Sequence, residues 1–369
     1  MTTHPSQSAH QSTPQIMQGT NIMPRLEGLD LARYLAFLGM AIVNFNIVVA
    51  DPTIEQPLIS AFIALFEGRA AATFVTLAGL GLGLTALRQT NIQAMRLVIV
   101  KRALFLLALG LLNTLVFDAD ILHYYGVSFL FGLLFLNLSN NRLFITIALI
   151  NILSICLIFV FDYEAGWQWK DYSYTDFWTI NGFIRNLFFN GWHPVIPWLS
   201  YLVFGIALSR YALDQRRVQH RLIIAGVVAV IVAQGLSLWL KSILISIHPE
   251  LEFLASTSPI PPMPLYILAG MGSASLVIGL CLLIHKKIAG VMLTQYFIIA
   301  GKQSLSLYLG HIFCGLWLME IFGMLSNQPP LVALSCAAIY CVFATYLASL
   351  YARRFKRGPV EALMRKVTG

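Results

Sequence analysis

Ten long apolar segments dominate this sequence and restrict it to one class of fold. They cover residues 29–50, 70–87, 97–117, 121–139, 143–161, 194–212, 222–246, 263–284, 294–318 and 330–352. A helix needs about 20 apolar residues to cross a hydrocarbon core roughly 30 Å thick. Only 11% of the residues are charged, whereas soluble domains contain about 25%. The sequence therefore predicts an all-α integral membrane protein, a polytopic bundle of about ten (ten or eleven) transmembrane helices.

Basic residues predict how these helices are oriented. Lys and Arg concentrate in alternate loops, for example at Arg25, Lys101–Arg102 and Arg210–Arg221, whereas the intervening loops carry mainly Asp and Glu. Cytoplasmic loops of membrane proteins hold the excess of Lys and Arg. We therefore expect a multi-pass protein of the bacterial cytoplasmic (inner) membrane, surrounded by lipid, with both termini in the cytoplasm. The net charge of +8 follows from this distribution and does not indicate nucleic acid as a partner.

Composition also divides the chain into three parts. Residues 1–24 are rich in Ser, Thr, Gln and His and are predicted to be a disordered cytoplasmic tail. Residues 25–354 form the predicted transmembrane domain, and residues 355–369 a basic cytoplasmic C-terminal tail. The five cysteines all lie in apolar segments without metal-ligand spacing, so no metal site is expected. The loop 162–192 is rich in aromatic residues, which suits either a lid or a membrane-interface anchor.

The first apolar segment contains three polar side chains on one helical face. At about 100° per residue, Asp30 and Arg33 lie roughly 60° apart, and Arg33 and Asn44 about 20° apart. Polar groups in hydrocarbon are costly unless they are partnered or functional. The stripe either fixes a helix end through an Asp–Arg pair or lines a polar substrate path.

A second polar group follows the third segment. Asp120 and His123 are three residues apart and would share a face of a helix that starts there. A carboxylate beside an imidazole holds a general base in one tautomer. The same spacing is also common where an Asp caps a helix, so both interpretations stay open.

The ninth segment carries a further polar stripe. Ser304, Tyr308 and His311 are spaced four and three residues apart, so that His311 would lie near the middle of the membrane. An ionisable residue at that depth is a candidate for function. Lys302, at the predicted cytoplasmic end, could bind a phosphate.

These motifs resemble those of a known family of membrane enzymes. Arg25–Arg33 together with Asn44 resembles the opening helix of the heparan-α-glucosaminide N-acetyltransferase family, and Gly301–His311 resembles a late helix of that family. Three further segments resemble the YeiB-type bacterial branch: Asp120–Gly126, His193–Trp198 and Arg357–Arg365.

The resemblance implies a transmembrane acyltransferase-like domain over residues 25–354 that takes acetyl-CoA or another acyl-CoA from the cytoplasm. It implies that Asp30, Arg33 and Asn44 line the acyl-CoA site, and it suggests a homodimer. Ser304, Tyr308 and His311 would face them. Residues 47–69 contain no histidine, although eukaryotic members use a catalytic histidine in the first outer loop. Tyr34 also stands where the opening motif usually has glycine.

We therefore expect an enzyme that moves an acetyl or other acyl group to an extracytoplasmic glycan, lipid or small molecule in the cell envelope. His123, oriented by Asp120, is the predicted base, with His311 second. Asn44 would stabilise the oxyanion. The nucleotide would lie near Lys302, Arg102 or the loop 210–221.

Two other classes of function remain compatible with the residues. Intramembrane ionisable residues also mark the path of a transporter or flippase for a lipid-linked or small polar solute, although no convincing internal repeat supports transport. A purely structural membrane partner would leave both polar stripes unexplained.

Overall fold

A computed structural model of the protein describes residues 25–89, 91–170 and 172–369, so the predicted tail of residues 1–24 lies outside the described part. The described residues form α-helices with short connections. The helices are α1 (Glu27–Val49), α2 (Pro57–Ala64), α3 (Arg69–Arg88), α4 (Ile92–Asn113), α5 (Leu122–Phe135), α6 (Asn140–Val160), α7 (Ile180–Arg185), α8 (Val195–Leu208), α9 (Arg216–Ile247), α10 (Pro264–Ile288), α11 (Met292–Gly301), α12 (Ser304–Gly310), α13 (Trp317–Ile321), α14 (Pro330–Arg354) and α15 (Pro359–Thr368).

Irregular helical turns interrupt this series at three places. A π-helical turn follows α7 at Asn186–Asn190, another follows α12 at His311–Leu316, and a 3₁₀ segment covers Pro249–Ala255. In the loop after α6, two short antiparallel strands pair, β1 (Trp167–Gln168) with β2 (Ser173–Tyr174). π-helical turns are rare and often occur at functional sites.

In the described part of the chain, fewer helices than the ten predicted are long and apolar enough to cross a bilayer. Seven helical stretches of the described residues are long and apolar enough to span a bilayer, and the pair Ile180–Asn190 and Val195–Leu208, bent by 50°, could be an eighth. The helix α4 carries three basic residues, and α5 has only 14 residues. The prediction of a multi-pass all-α membrane protein is confirmed. Ten crossings and cytoplasmic termini stay predictions.

The helix α1 lies at the centre of the bundle. It packs against α3, α10, α11 and α14, and 56% of its apolar stretch is buried, against 22% in α9 and 11% in α6. The helices α6 and α9 therefore form the periphery, where apolar side chains face lipid. Of the polar residues on α1, Asp30 is consequently buried, whereas Arg33 and Asn44 stay partly exposed.

A glycine allows α1 and α11 to approach closely. A Cβ atom on Gly301 would lie 1.9 Å from the carbonyl oxygen of Asp30, which is far inside van der Waals contact. Small residues at helix interfaces permit such backbone approach in membranes. Gly301, which opens the segment that resembles the family's late helix, therefore also allows α11 to pack against Asp30 of α1.

The C-terminal segment, treated above as a basic tail, contains the helix α15, which packs against α4 and α12. We call the end of the bundle that carries Arg25, Lys302 and α15 the basic end. It is the predicted cytoplasmic end.

Candidate active site

The two predicted polar stripes meet at Asn44 and His311. The Asn44 Nδ2 atom lies 2.9 Å from His311 Nε2, and the His311 Nδ1 atom is hydrogen-bonded to the carbonyl oxygen of Tyr308. A carbonyl only accepts, so Nδ1 carries the proton and Nε2 accepts from Asn44. Because His311 is fully buried, these bonds fix one tautomer and one ring orientation.

A second buried polar group is centred on the Asp120 carboxylate. Its Oδ1 atom accepts from Asn113 Nδ2 at 2.7 Å, and its Oδ2 atom lies 2.9 Å from His123 Nδ1. The carboxylate also accepts from the backbone N–H of His123 at 3.1 Å, as a helix-capping Asp would. The structure thus shows the capping contact, and the catalytic role of this pair stays a prediction. His123 is fully buried, and its Nε2 atom has no hydrogen-bond partner among the described residues.

Tyr308 connects the two groups. Its hydroxyl lies 3.4 Å from Asp120 Oδ1 and accepts from the backbone N–H of Ile121 at 3.2 Å. Its carbonyl oxygen accepts from His311. One residue of α12 therefore contacts both histidine-containing groups, so a shift of α12 would change both contacts.

A cleft opens beside this network at the end of the bundle opposite the basic end. It is lined by Asn44 and Tyr308 together with Glu67, His193 and Trp198. Apolar side chains of α1 and α3 complete the wall. His311 and His123 lie behind the lining residues. A carboxylate, an imidazole, an amide and a phenol thus line one cleft.

The outer loop covers the His123 side of this region. The amide of Asn190 donates to the carbonyl oxygens of Tyr163 and Ala165 at 2.8 and 2.9 Å, and so holds the loop on the π-helical turn after α7. The ring of Phe177 contacts His123 edge-on, with 5.8 Å between centroids. This part of the loop behaves as a cover over His123, as the lid interpretation expects. Trp178, however, is 65% exposed, which also suits an interface anchor.

Asp30 forms the polar group at the basic end. Arg25 contacts both of its oxygens at 2.8 and 2.9 Å, and Arg33 Nη1 lies 2.6 Å from Oδ1. The Asp30 side chain is 1% exposed, whereas Arg33 and Arg25 are 28% and 59% exposed. The hydrogen bond to Asp30 raises the pKa of the Arg25 guanidinium above its ordinary value. Asp30 is therefore already paired, and Arg33 keeps part of its surface for another contact.

A packed apolar layer separates this group from Asn44. Phe37 lies between them on the same face of α1, is fully buried, and contacts the His311 ring edge-on at 6.3 Å. Tyr34 stacks on Phe297 at 4.6 Å and its hydroxyl is hydrogen-bonded to Thr345 at 2.8 Å. In this conformation the stripe from Arg33 to Asn44 is interrupted by side chains.

The remaining predicted ligand residues lie near the basic end. Lys302 Nζ is 3.2 Å from Glu27 Oε1, and Ser304 begins α12 after the break that ends α11. Arg102 lies on α4, which packs against α15, and its buried Nε atom has no hydrogen-bond partner among the described residues. In the part of the chain that the structure describes, no three His, Cys, Asp or Glu side chains cluster as a metal site requires.

Two parts of the site were missed by sequence reasoning. Asn113 donates to Asp120, and its only signal is a lone amide at the end of an apolar segment. Glu67 and His193, to which the sequence analysis assigns no role, line the cleft. Neither position could be linked to Asn44 without knowing which helices are neighbours.

Comparison with known families shows the family of this chain. A family model described as heparan-alpha-glucosaminide N-acetyltransferase, catalytic, matches residues 25–244, more than half of the chain. The chain belongs to this family. A second model, protein of unknown function (DUF418), matches residues 208–369. No curated protein matches the chain.

Membership of this transmembrane acetyltransferase family confirms the predicted relationship. The N-acetyltransferase match contains Asp30, Asn44, Asp120 and His123, whereas His311 falls within the second match. The hydrogen bond from Asn44 to His311 therefore joins the two matched regions in one site.

Proposed function

We propose that this protein is a membrane acyltransferase that moves an acetyl or other acyl group from cytoplasmic acyl-CoA to an extracytoplasmic acceptor. The observation that supports it most is the buried network linking Asn44, His311, Tyr308, Asp120 and His123 beside the cleft. Its polar groups are held by fixed hydrogen bonds, as catalysis by preorganised dipoles requires. Family membership supplies the reaction class.

The chemistry assigns a role to each group. An amine or hydroxyl of the acceptor attacks the thioester carbonyl carbon, the C–S bond breaks, and the CoA thiolate leaves. His123 takes the acceptor proton on Nε2, which has a free lone pair because Nδ1 faces Asp120. The proton then passes to the thiolate. His311 is the second choice as base because its Nε2 lone pair is occupied by Asn44.

The oxyanion that forms on the thioester carbonyl needs a donor. Asn44 lines the cleft and uses one N–H toward His311, so its amide retains a second N–H. Loss of one such donor typically costs about 10²–10³ in kcat. Transfer proceeds directly from CoA to acceptor, without an acyl-enzyme.

The donor would bind at the basic end. Arg33 has an exposed fraction beside Asp30, and Arg102 and Lys302 supply further positive charge for the phosphates of acyl-CoA. The acceptor, a cell-envelope glycan, lipid or small molecule, would enter the cleft. Because Phe37 separates the two ends, the thioester reaches Asn44 only after this layer moves.

The test uses the purified protein in lipid nanodiscs. Acetyl-CoA and CoA should raise the unfolding temperature, because a ligand at 100 times its Kd adds about 2.7 kcal/mol to the free energy of unfolding. 3′-Phospho-ADP is the control for the nucleotide without the pantetheine arm. Radiolabelled acetyl-CoA is then incubated with an envelope lipid and glycan extract. A lack of stabilisation at millimolar CoA would overturn the proposal and favour the transporter, for which the Phe37 layer would be a gate.

A further inference from the structure

We propose that Glu361, on the C-terminal helix α15, is a positioning residue that sets the place of Tyr308 and His311. This inference rests on the proposed acyl transfer, since those two residues belong to the network that would perform it. The decisive geometry lies between α15 and the first turn of α12, at the basic end of the bundle.

The carboxylate of Glu361 caps α12 from outside that helix. Its Oε1 atom accepts from the backbone N–H groups of Leu305 and Ser306 at 2.8 and 3.1 Å. Its Oε2 atom accepts from the Ser306 hydroxyl. The first N–H groups of a helix have no partner within the helix, and a negative charge there is favourable. A residue about 55 positions away in the chain therefore does what an N-cap residue usually does locally.

The cap is reciprocal. The Ser306 hydroxyl oxygen accepts from the backbone N–H of Val360 at 3.0 Å, in the first turn of α15. Each helix thus supplies the side chain that satisfies a free N–H group of the other. A Cβ atom on Gly358 would lie 2.7 Å from Ser306 Oγ, so the turn before α15 sits directly on the start of α12. Two helix ends joined in this way move as one body.

The start of α12 needs an outside cap because it follows a break. The helix α11 ends at Gly301, and the side chain of Gln303, at the N-terminal boundary of α12, makes no capping hydrogen bond to it. Gln303 instead donates to the carbonyl oxygen of Ala348 at 2.9 Å. No capping side chain at the start of α12 therefore replaces Glu361. Without the Glu361 carboxylate, the first turn of α12 would lose its cap.

The functional consequence follows from the spacing. Tyr308 is two residues beyond Ser306, and the 3.4 Å between its hydroxyl and Asp120 Oδ1 is already at the long limit of a hydrogen bond. A small axial shift of α12 would break this contact and move His311 relative to Asn44. A misplacement of about 1 Å in catalytic geometry can cost 10²-fold in rate.

The experiment compares Glu361→Gln with Lys366→Gln, an exposed residue of the same helix, in nanodiscs. Hydrogen exchange should increase in the peptide that contains residues 303–311 of Glu361→Gln and stay unchanged in Lys366→Gln. The kcat for acetyl-CoA turnover should fall at least 10-fold while KM for acetyl-CoA changes less than threefold. The double variant Glu361→Gln/Ser306→Ala should lose less than the sum of the two single variants, because both changes break the hydrogen bond between Glu361 and Ser306.

Each outcome decides the inference. Unchanged exchange at residues 303–311 overturns it whether or not the protein is an enzyme, and faster exchange with unchanged kcat overturns the positioning role. If the unmodified protein turns over no acyl-CoA, the proposed function fails, and so does the positioning role of Glu361 in acyl transfer, whereas the exchange result still reports the cap itself.

Discussion

The amide of Asn44 donates a hydrogen bond of 2.9 Å to Nε2 of His311 across 267 residues of chain. This bond joins the central helix α1 to the π-helical turn that follows α12. The bond can form only if α1 and α12 are neighbours and place these two residues at the same depth in the bundle. Both nitrogens of the buried imidazole then have a hydrogen-bond partner. The following predictions start from this contact.

Asn44→Ala should weaken both the fold and the reaction. The buried His311 Nε2 atom would lose its partner, which costs about 1–3 kcal/mol, and the proposed oxyanion donor would be absent, lowering kcat about 10²-fold or more. Unfolding midpoints and initial rates measure the two effects. Asn46→Ala is the matched control on α1, because the Asn46 side-chain oxygen has no hydrogen-bond partner in the part of the chain that the structure describes. Equal effects of the two substitutions would remove Asn44 from the site.

His123→Ala should abolish acyl transfer and leave CoA binding intact. The imidazole lies in the Asp120 group, away from the proposed nucleotide site at the basic end. Stabilisation by CoA should therefore persist while turnover is lost. Loss of turnover in His311→Ala with full activity in His123→Ala would reverse the assignment of the base.

Phe37→Leu should increase the hydrolysis of acetyl-CoA by water. The smaller side chain opens the layer between Arg33 and Asn44 but avoids the cost of about 3–5 kcal/mol expected for Phe→Ala. Acetyl-CoA hydrolysis without acceptor should then rise relative to the unmodified protein. The control is Phe343→Leu on the exposed face of α14. If hydrolysis rises in neither variant, Phe37 does not separate the two ends.

Gly301→Ala should be far more destabilising than Gly235→Ala. The added methyl group would lie 1.9 Å from the Asp30 carbonyl oxygen, whereas a Cβ on Gly235 meets nothing within 4 Å. By forcing α1 and α11 apart, Gly301→Ala should lower the free energy of unfolding by about 3 kcal/mol. Gly235→Ala should raise it by about 0.5–1 kcal/mol, because alanine favours the helix over glycine. Unfolding in detergent measures both. Similar midpoints would show that the α1–α11 contact is looser than described.

The class of fold was determined by sequence because burial in lipid acts on every residue of a segment. Each of the ten predicted apolar segments contains helix in the structure, since backbone groups in hydrocarbon must bond within the segment. The family relationship was likewise available from short motifs. The local pair of Asp120 and His123 could be found because its members are three residues apart on one helix.

Contacts between distant segments were decided only by the tertiary structure. The sequence places Asn44 and His311 on separate polar stripes, but side-chain period says nothing about which helices are neighbours. The Phe37 layer was missed because an apolar residue in an apolar helix carries no signal of what lies above and below it. Glu361 was missed for a related reason: a carboxylate in a basic C-terminal segment suggests a solvated charge, and only the docking of α15 on α12 makes it a cap. The face of a helix on which a side chain lies follows from the sequence. Which helices are neighbours, and at which depth their side chains meet, follows from packing.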